Sequence, residues 1–338
     1  MKTRRAAAIS LRWHHHNEAL RDWAFKRKFS IVLAAALAIG LLLAPSPALS
    51  RDFTVNLQER VNGAVAMLQY CLTPEVTTSS LSINSGEAGV NGLSLYQLGG
   101  GFTWSKTLPL YLEGNAALSR YDPVFIFSRG TATAQVPVEW TTVAGTAGIG
   151  WDFPIAPELV LRPIVNFSIG RVESKVSGSA STTGDETGQE MAFLREGELN
   201  TVGYGGSLML DYEHYREAYE IDVEARLTNI WLQSTGGTSV AVKGTALAQS
   251  ASLWTRWRAP TGLRALDRPL RYVLEYAFSY YFGPDGDMVG FNYLNSLGAG
   301  LELDTGAWDV WVSRVRLMGR YRIGENVDGW SVGLAVSF

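Results

Sequence analysis

Past residue 50 the chain carries a single histidine, His214, in the run Asp211-Tyr-Glu-His-Tyr-Arg216. An imidazole beside acids and hydroxyls is the usual equipment of a hydrolase, where it takes a proton from a serine or a water. The other histidines, His14, His15 and His16, are consecutive and lie near the N-terminus. No Gly-x-Ser-x-Gly motif, phosphate-binding loop or metal-spaced cluster accompanies His214, so we expect no enzyme, no metal and no cofactor. Asp285 and Asp287, in Gly283-Pro-Asp-Gly-Asp287, are two carboxylates in a turn, too few for a calcium loop. Gly99-Gly100-Gly101 marks a bend or a close approach inside a strand. Cys71 is the only cysteine, which excludes an internal disulfide.

The more numerous chemically able groups are charges at every second position. In Tyr219–Leu227, Glu220, Asp222, Glu224 and Arg226 alternate with Tyr219, Ile221, Val223, Ala225 and Leu227. Glu275 and Glu302 sit on similar faces, opposite Tyr272, Leu274, Tyr276 and Phe278 and opposite Leu297, Leu301 and Leu303. Arg314, Arg316, Arg320 and Arg322 oppose Val315, Leu317 and Tyr321. Period-two alternation is the mark of a strand with one apolar face. The charged faces admit two uses: lining a conducting pore, or pairing with one another to fill a lumen. A lumen that also holds a helix favours the second.

Twelve such segments follow one another, near 76–84, 93–104, 109–118, 140–152, 158–170, 199–211, 218–231, 245–258, 271–282, 293–304, 307–322 and 329–338. Most are longer than the five or six residues of globular strands and match the 9–11 that cross a bilayer. The connections alternate long and short, 259–270 excepted, as between the outer loops and periplasmic turns of a membrane barrel. Trp140, Trp151, Trp231, Trp257, Trp308, Trp330 and Phe338 fall near strand ends, the places of an interfacial girdle. Trp140 and Trp151 differ in parity, so both reach lipid only across a bulge. On this topology His214 falls in a short periplasmic turn, solvated, on the wrong side for chemistry on external substrates.

Composition agrees. With 46% hydrophobic and 18% charged residues the chain is not disordered. Residues 1–28 carry eight Lys/Arg, Phe29–Leu43 is apolar, and Ala48-Leu49-Ser50 offers a small-x-small cleavage site. This reads as an export signal over 1–50 with a long basic region. The remaining 288 residues carry 21 basic and 30 acidic side chains, which argues against nucleic acid. No later apolar stretch is long enough for a transmembrane helix.

The chain ends Trp330-Ser-Val-Gly-Leu-Ala-Val-Ser-Phe338, with Trp330, Val332, Leu334, Val336 and Phe338 on one face. This resembles the terminal strand by which outer-membrane barrels are recognised by the insertion machinery. Before the strands, Val55, Leu57, Val61, Val65 and Leu68 recur at helical spacing and Pro74 stops the run. Over 53–338 the chain resembles the translocator β-domains of autotransporters, specifically the solitary domains without a passenger. The resemblance implies an all-β, antiparallel transmembrane barrel of about twelve strands (76–338), with the 51–75 helix in its lumen. It also implies a monomer in the bacterial outer membrane, in contact with its lipid. Only about 25 residues separate signal from barrel, so secretion of a passenger is not expected. Outer loops 119–139, 171–198 and 232–244 are then the candidate contacts with ligands or surfaces, and a helix-gated pore for small solutes is the alternative.

Overall fold

The computed structural model describes 78–85, 90–129, 132–176, 195–282, 291–306, 313–325 and 327–337, together with Leu68, Cys71, Leu72 and Phe193. The export signal, most of 51–75, Trp308 and Phe338 lie outside the described residues.

Among the described residues there are thirteen strands: β1 (Thr78–Ser85), β2 (Val90–Thr103), β3 (Leu110–Arg129), β4 (Ala132–Trp151), β5 (Phe153–Ala156), β6 (Leu159–Val176), β7 (Gly197–Tyr215), β8 (Glu220–Ser234), β9 (Thr245–Ala265), β10 (Arg268–Phe282), β11 (Tyr293–Asp304), β12 (Arg314–Gly324) and β13 (Val327–Ser337). Neighbours in sequence pair antiparallel throughout. β5 continues β4 past Asp152, and both pair with β6. β1 pairs with β13, so the sheet closes into a twelve-membered ring. Closure leaves no free sheet edge around the ring, the condition for strands in lipid. The ring is thinnest at β1, which has eight residues and meets β2 through five pairs and β13 through eight.

The ring is inside-out relative to a soluble sandwich. On β6, Val165, Phe167 and Ile169 are 54%, 55% and 67% exposed, whereas Asn166 and Ser168 between them are buried. The same holds on β8, where Leu227 and Trp231 face out and Asp222 and Arg226 face in. An apolar exterior around a polar interior is the arrangement of a membrane barrel. Two bands of aromatics mark its rims. One holds Phe102, Trp104, Trp151, Phe153, Trp257 and Tyr272, with the last two edge to face at 5.0 Å. The other holds Tyr204, Trp231, Tyr321 and Trp330, packed in pairs at 6.2 and 4.6 Å.

Three expectations change. First, 119–139 is not a loop. β3 and β4 pair as far as Arg129 with Ala132, and beyond Asp122 they project as a hairpin of about 20 Å past their neighbours. Second, 259–270 is not a loop either: β9 and β10 pair up to Ala265 with Arg268 around Leu266 and Asp267. Both turn residues have positive φ, 50° and 60°, as a two-residue hairpin requires. Third, Trp140 does not face lipid. It is buried inside and donates from Nε1 to Ser174 Oγ at 3.0 Å, so its parity conflict with Trp151 vanishes without a bulge.

Candidate functional site: the filled lumen

The inward side chains form three layers along the barrel axis. At the end bearing 235–244, apolar residues meet: Leu93, Leu95, Tyr121, Val138, Trp140, Val172, Leu199, Ile230, Leu232 and Leu294. Phe193 and Phe291, from the flanking connections, join this cluster, and Ala241 and Val242 pack against it. A barrel interior is ordinarily polar. An apolar wall there needs an apolar filler, and Leu68, Cys71 and Leu72 supply it. These three are helical and fully or almost fully buried. Asn115 Nδ2 donates to Cys71 O at 3.0 Å, Thr146 Oγ1 donates to Leu72 O at 3.0 Å, and the Cys71 thiol donates to Ser119 Oγ at 3.4 Å. Asn115, Ser119 and Thr146 are on β3 and β4, so the segment leans on that wall. Gly170 on β6 leaves it room: a Cβ there would lie 2.1 Å from Leu68 Cδ1.

The middle layer is neutral and polar. Gln97 Nε2 donates to Asn115 Oδ1 at 2.9 Å, and Ser207 Oγ donates to Asn166 Oδ1 at 2.6 Å.

The third layer, towards turns 216–219 and 266–267, is ionic. Glu302 is fully buried and accepts from Arg316 Nε at 2.7 Å and Arg258 Nη1 at 3.3 Å. Arg258 also reaches Asp222 at 2.9 Å and Glu220 at 3.1 Å. Glu220 accepts from Arg314 at 2.7 Å and from Arg271. Asp222 accepts from Arg256 Nε at 2.8 Å. Across the ring, Arg162 holds Asp152 and, at 3.0 Å, Asp211, with its guanidinium 3.9 Å over the Tyr111 ring. Arg226 forks onto both Glu113 oxygens at 2.7 Å, and Arg320 Nε donates to Glu275 Oε1 at 2.8 Å.

All ten charges singled out in the sequence (Glu220, Asp222, Glu224, Arg226, Glu275, Glu302, Arg314, Arg316, Arg320 and Arg322) lie on inward-facing positions. Glu224 and Arg314 are half-buried and the other eight are buried. Arg271, which shares its strand face with Glu275, belongs to the same set, as do Glu113, Asp152, Arg162, Asp211, Arg256 and Arg258, which the alternation did not single out. Arg256 and Arg258 alternate with Trp257, but Trp254 shares their face, stacked on Arg256 at 4.5 Å, so the strand shows aromatics on both sides. Asp152 is hidden just past the end of β4.

His214 is in β7, not in a turn, and it is buried rather than solvated. Its ring lies between Tyr212 and Tyr219, with Nδ1 2.8 Å from Glu158 Oε2. Glu158 also accepts from Arg216 at 2.6 Å. Burial alone would raise the Glu158 carboxyl. The hydrogen bonds from His214 and Arg216 outweigh that and hold it below the usual carboxylate range. Trp330, Val332, Leu334 and Val336 on β13 all face outward, and Gly329, Ser331, Gly333 and Ala335 face inward.

The chain is a transmembrane β-barrel. No family model matches it, and no curated protein does. Among solved structures it is similar to the β-domain of the Bordetella autotransporter BrkA, at 15% identity and a TM-score of 0.44, covering 77% of this chain and 97% of that one. It is also similar to the translocator domain of the autotransporter NalP from Neisseria meningitidis, at 12% identity and a TM-score of 0.44, over 83% of this chain and 96% of that one. The transport unit of the Escherichia coli autotransporter AIDA-I gives 12% identity and a TM-score of 0.44, over 82% and 99%.

Proposed function

We propose that this barrel resides in a bacterial outer membrane and acts as a closed platform that presents its outer hairpins and loops to ligands or surfaces. The observation that carries this reading is a lumen filled in layers: an apolar core around Leu68, Cys71 and Leu72 above, and an arginine–carboxylate network below. A pore needs water along its axis. Here the side chains that would line it bind one another instead. The projecting β3–β4 hairpin and connections 177–196 and 235–244 then present the contact surface. The outward residues Trp330, Val332, Leu334 and Val336, with Phe338, serve as the signal for barrel insertion. No catalytic role is proposed for His214, which anchors the turn at Glu158; His214→Ala is expected to change stability and no turnover.

The test is planar-bilayer conductance of the refolded mature chain, with and without residues 51–72, beside a surface-binding assay of cells expressing the chain with the β3–β4 hairpin shortened or 177–192 deleted. A platform stays silent when intact and loses binding when trimmed. Steady conductance by the intact chain, or binding unchanged by both trims, overturns the reading. A second reading is a pore gated by the lumenal segment, whose described residues are held to the wall by two backbone carbonyls, one thiol and apolar packing rather than by a covalent or ionic tie. Steps that appear only on removing 51–72 would establish it.

A further inference from the structure

Above the ring, the β3–β4 hairpin carries a long backbone edge. β2 begins at Val90, opposite Pro123, whereas β3 stays paired with β4 as far as Arg129. Among the described residues, no strand therefore lies beside 124–129 on the β2 side. The connection on that side is 86–89, four residues that bridge Ser85 to Val90, too few to run along six. The β4 side differs, because the long connection 177–196 belongs to the neighbouring β6. A row of unmatched N–H and C=O groups is a template for another strand.

Nothing in the sequence defends this edge. From Pro123 to Ser128 there is no charged residue, and Val124-Phe-Ile-Phe127 is a run of strong strand formers. The β9–β10 hairpin, at the other end of the barrel, is built the opposite way. Pro260 and Pro269 lack the N–H, the register shifts between Pro269 and Arg271, and Arg264 and Arg268 bring charge. Those are the devices by which projecting strands avoid pairing, and the β3 edge has only Pro123, at its base.

We propose that this edge pairs antiparallel with the same edge of a second copy in a facing membrane, residues 125–129 against 125–129, with Phe127 on the two-fold axis. Two copies in one membrane both run β3 outward, which sets the strands parallel and lays Arg129 beside the partner's Arg129. Facing copies run in opposite directions. Phe127 then meets the partner's Phe127, and each Arg129 meets the partner's Phe125, with the two arginines about 13 Å apart along the strands. A register centred one residue lower would bring the partner's Arg129 opposite Pro123, where Val90 already sits. Such a short pairing is weak singly, but many copies across two membranes act together. The pairing rests on the platform reading and names what the hairpin meets.

The test is tethering of phospholipid vesicles that carry the refolded mature chain, read by light scattering and electron cryomicroscopy. Wild-type vesicles should cluster, with about 30 Å between the facing barrel rims, twice the span from Asp122 to Phe127. Phe127→Lys and Phe127→Glu vesicles should each stay dispersed, because like charges meet on the axis, and a mixture of the two should cluster again. Should neither variant refold, a chain with the hairpin cut back to Val124 and Pro137 takes their place and should not cluster. Wild-type vesicles that stay dispersed overturn the proposal. So does clustering unchanged in either charge variant or in the shortened chain, or a Lys/Glu mixture that stays apart. Wild-type vesicles that cling equally to empty ones overturn it too, since the hairpin would then be entering lipid. Dispersed vesicles leave the platform reading standing; steady conductance by the intact chain removes that reading instead.

Discussion

Glu302 stands where three arginines meet, with Arg314 3.6 Å from its Oε1. It is fully buried and is bound to both Arg258 and Arg316. A buried pair adds little net stability, but losing one member strands the other's charge. Glu302→Ala is therefore expected to cost about 3–5 kcal/mol in denaturant unfolding, and adding Arg316→Met should recover part of that loss. Glu158 gives a different signature. Its lowered carboxyl means that the anchor to His214 and Arg216 is fully present above the ordinary carboxylate pKa and fades as pH falls through the lower folded value. The thermal midpoints of the wild-type chain and Glu158→Gln should thus differ near pH 7 and converge below about pH 4.

At the scale of elements, what could be read from the sequence followed how cleanly each strand separates its faces. Tyr219–Leu227 is legible because every outward residue is apolar and every inward one charged. β9 is not, because Trp254 faces the lumen and Trp257 the lipid, and a large aromatic is at home on either side. The β9–β10 turn escaped for another reason. Leu266 and Asp267 hold positive φ without the Gly or Asn that announces it, and Pro260, Gly262 and Pro269 nearby look like loop. Replacing the pair with Asn-Gly should relieve that strain and stabilise the barrel by about 0.5–1 kcal/mol, measured by denaturant unfolding. The length of the β3–β4 hairpin was hidden likewise: nothing in 119–139 alternates strongly enough to separate paired strand from polar loop.

For the whole molecule, the central question is whether the lumenal segment is a fixture or a removable part. Gly170 offers a way to ask without deleting anything. A side chain there must displace Leu68, because even a Cβ falls 2.1 Å from its Cδ1. Gly170→Val should leave the ring of strands intact in circular dichroism yet loosen the segment. Bilayer recordings of that variant should then show intermittent openings. Continued silence would mean that the apolar cluster and the ionic layer seal the barrel without it.

The seam between β1 and β13 carries a different consequence. Every other pairing around the ring joins strands adjacent along the chain, as hairpins that form locally. Thr78 with Leu334 and Ser85 with Val327 join residues 256 and 242 positions apart. The entropy of bringing such distant segments together is met only once, and the reward is eight residue pairs, fewer than in every other ring pairing except the five of β1 with β2. The order of assembly follows: hairpins first, the ring last. Until that final pairing, two strands lie with bare backbone edges in lipid, where unmet hydrogen bonds are most expensive. The slowest step in the assembly of this barrel is thus expected to be a single zipper of eight residues.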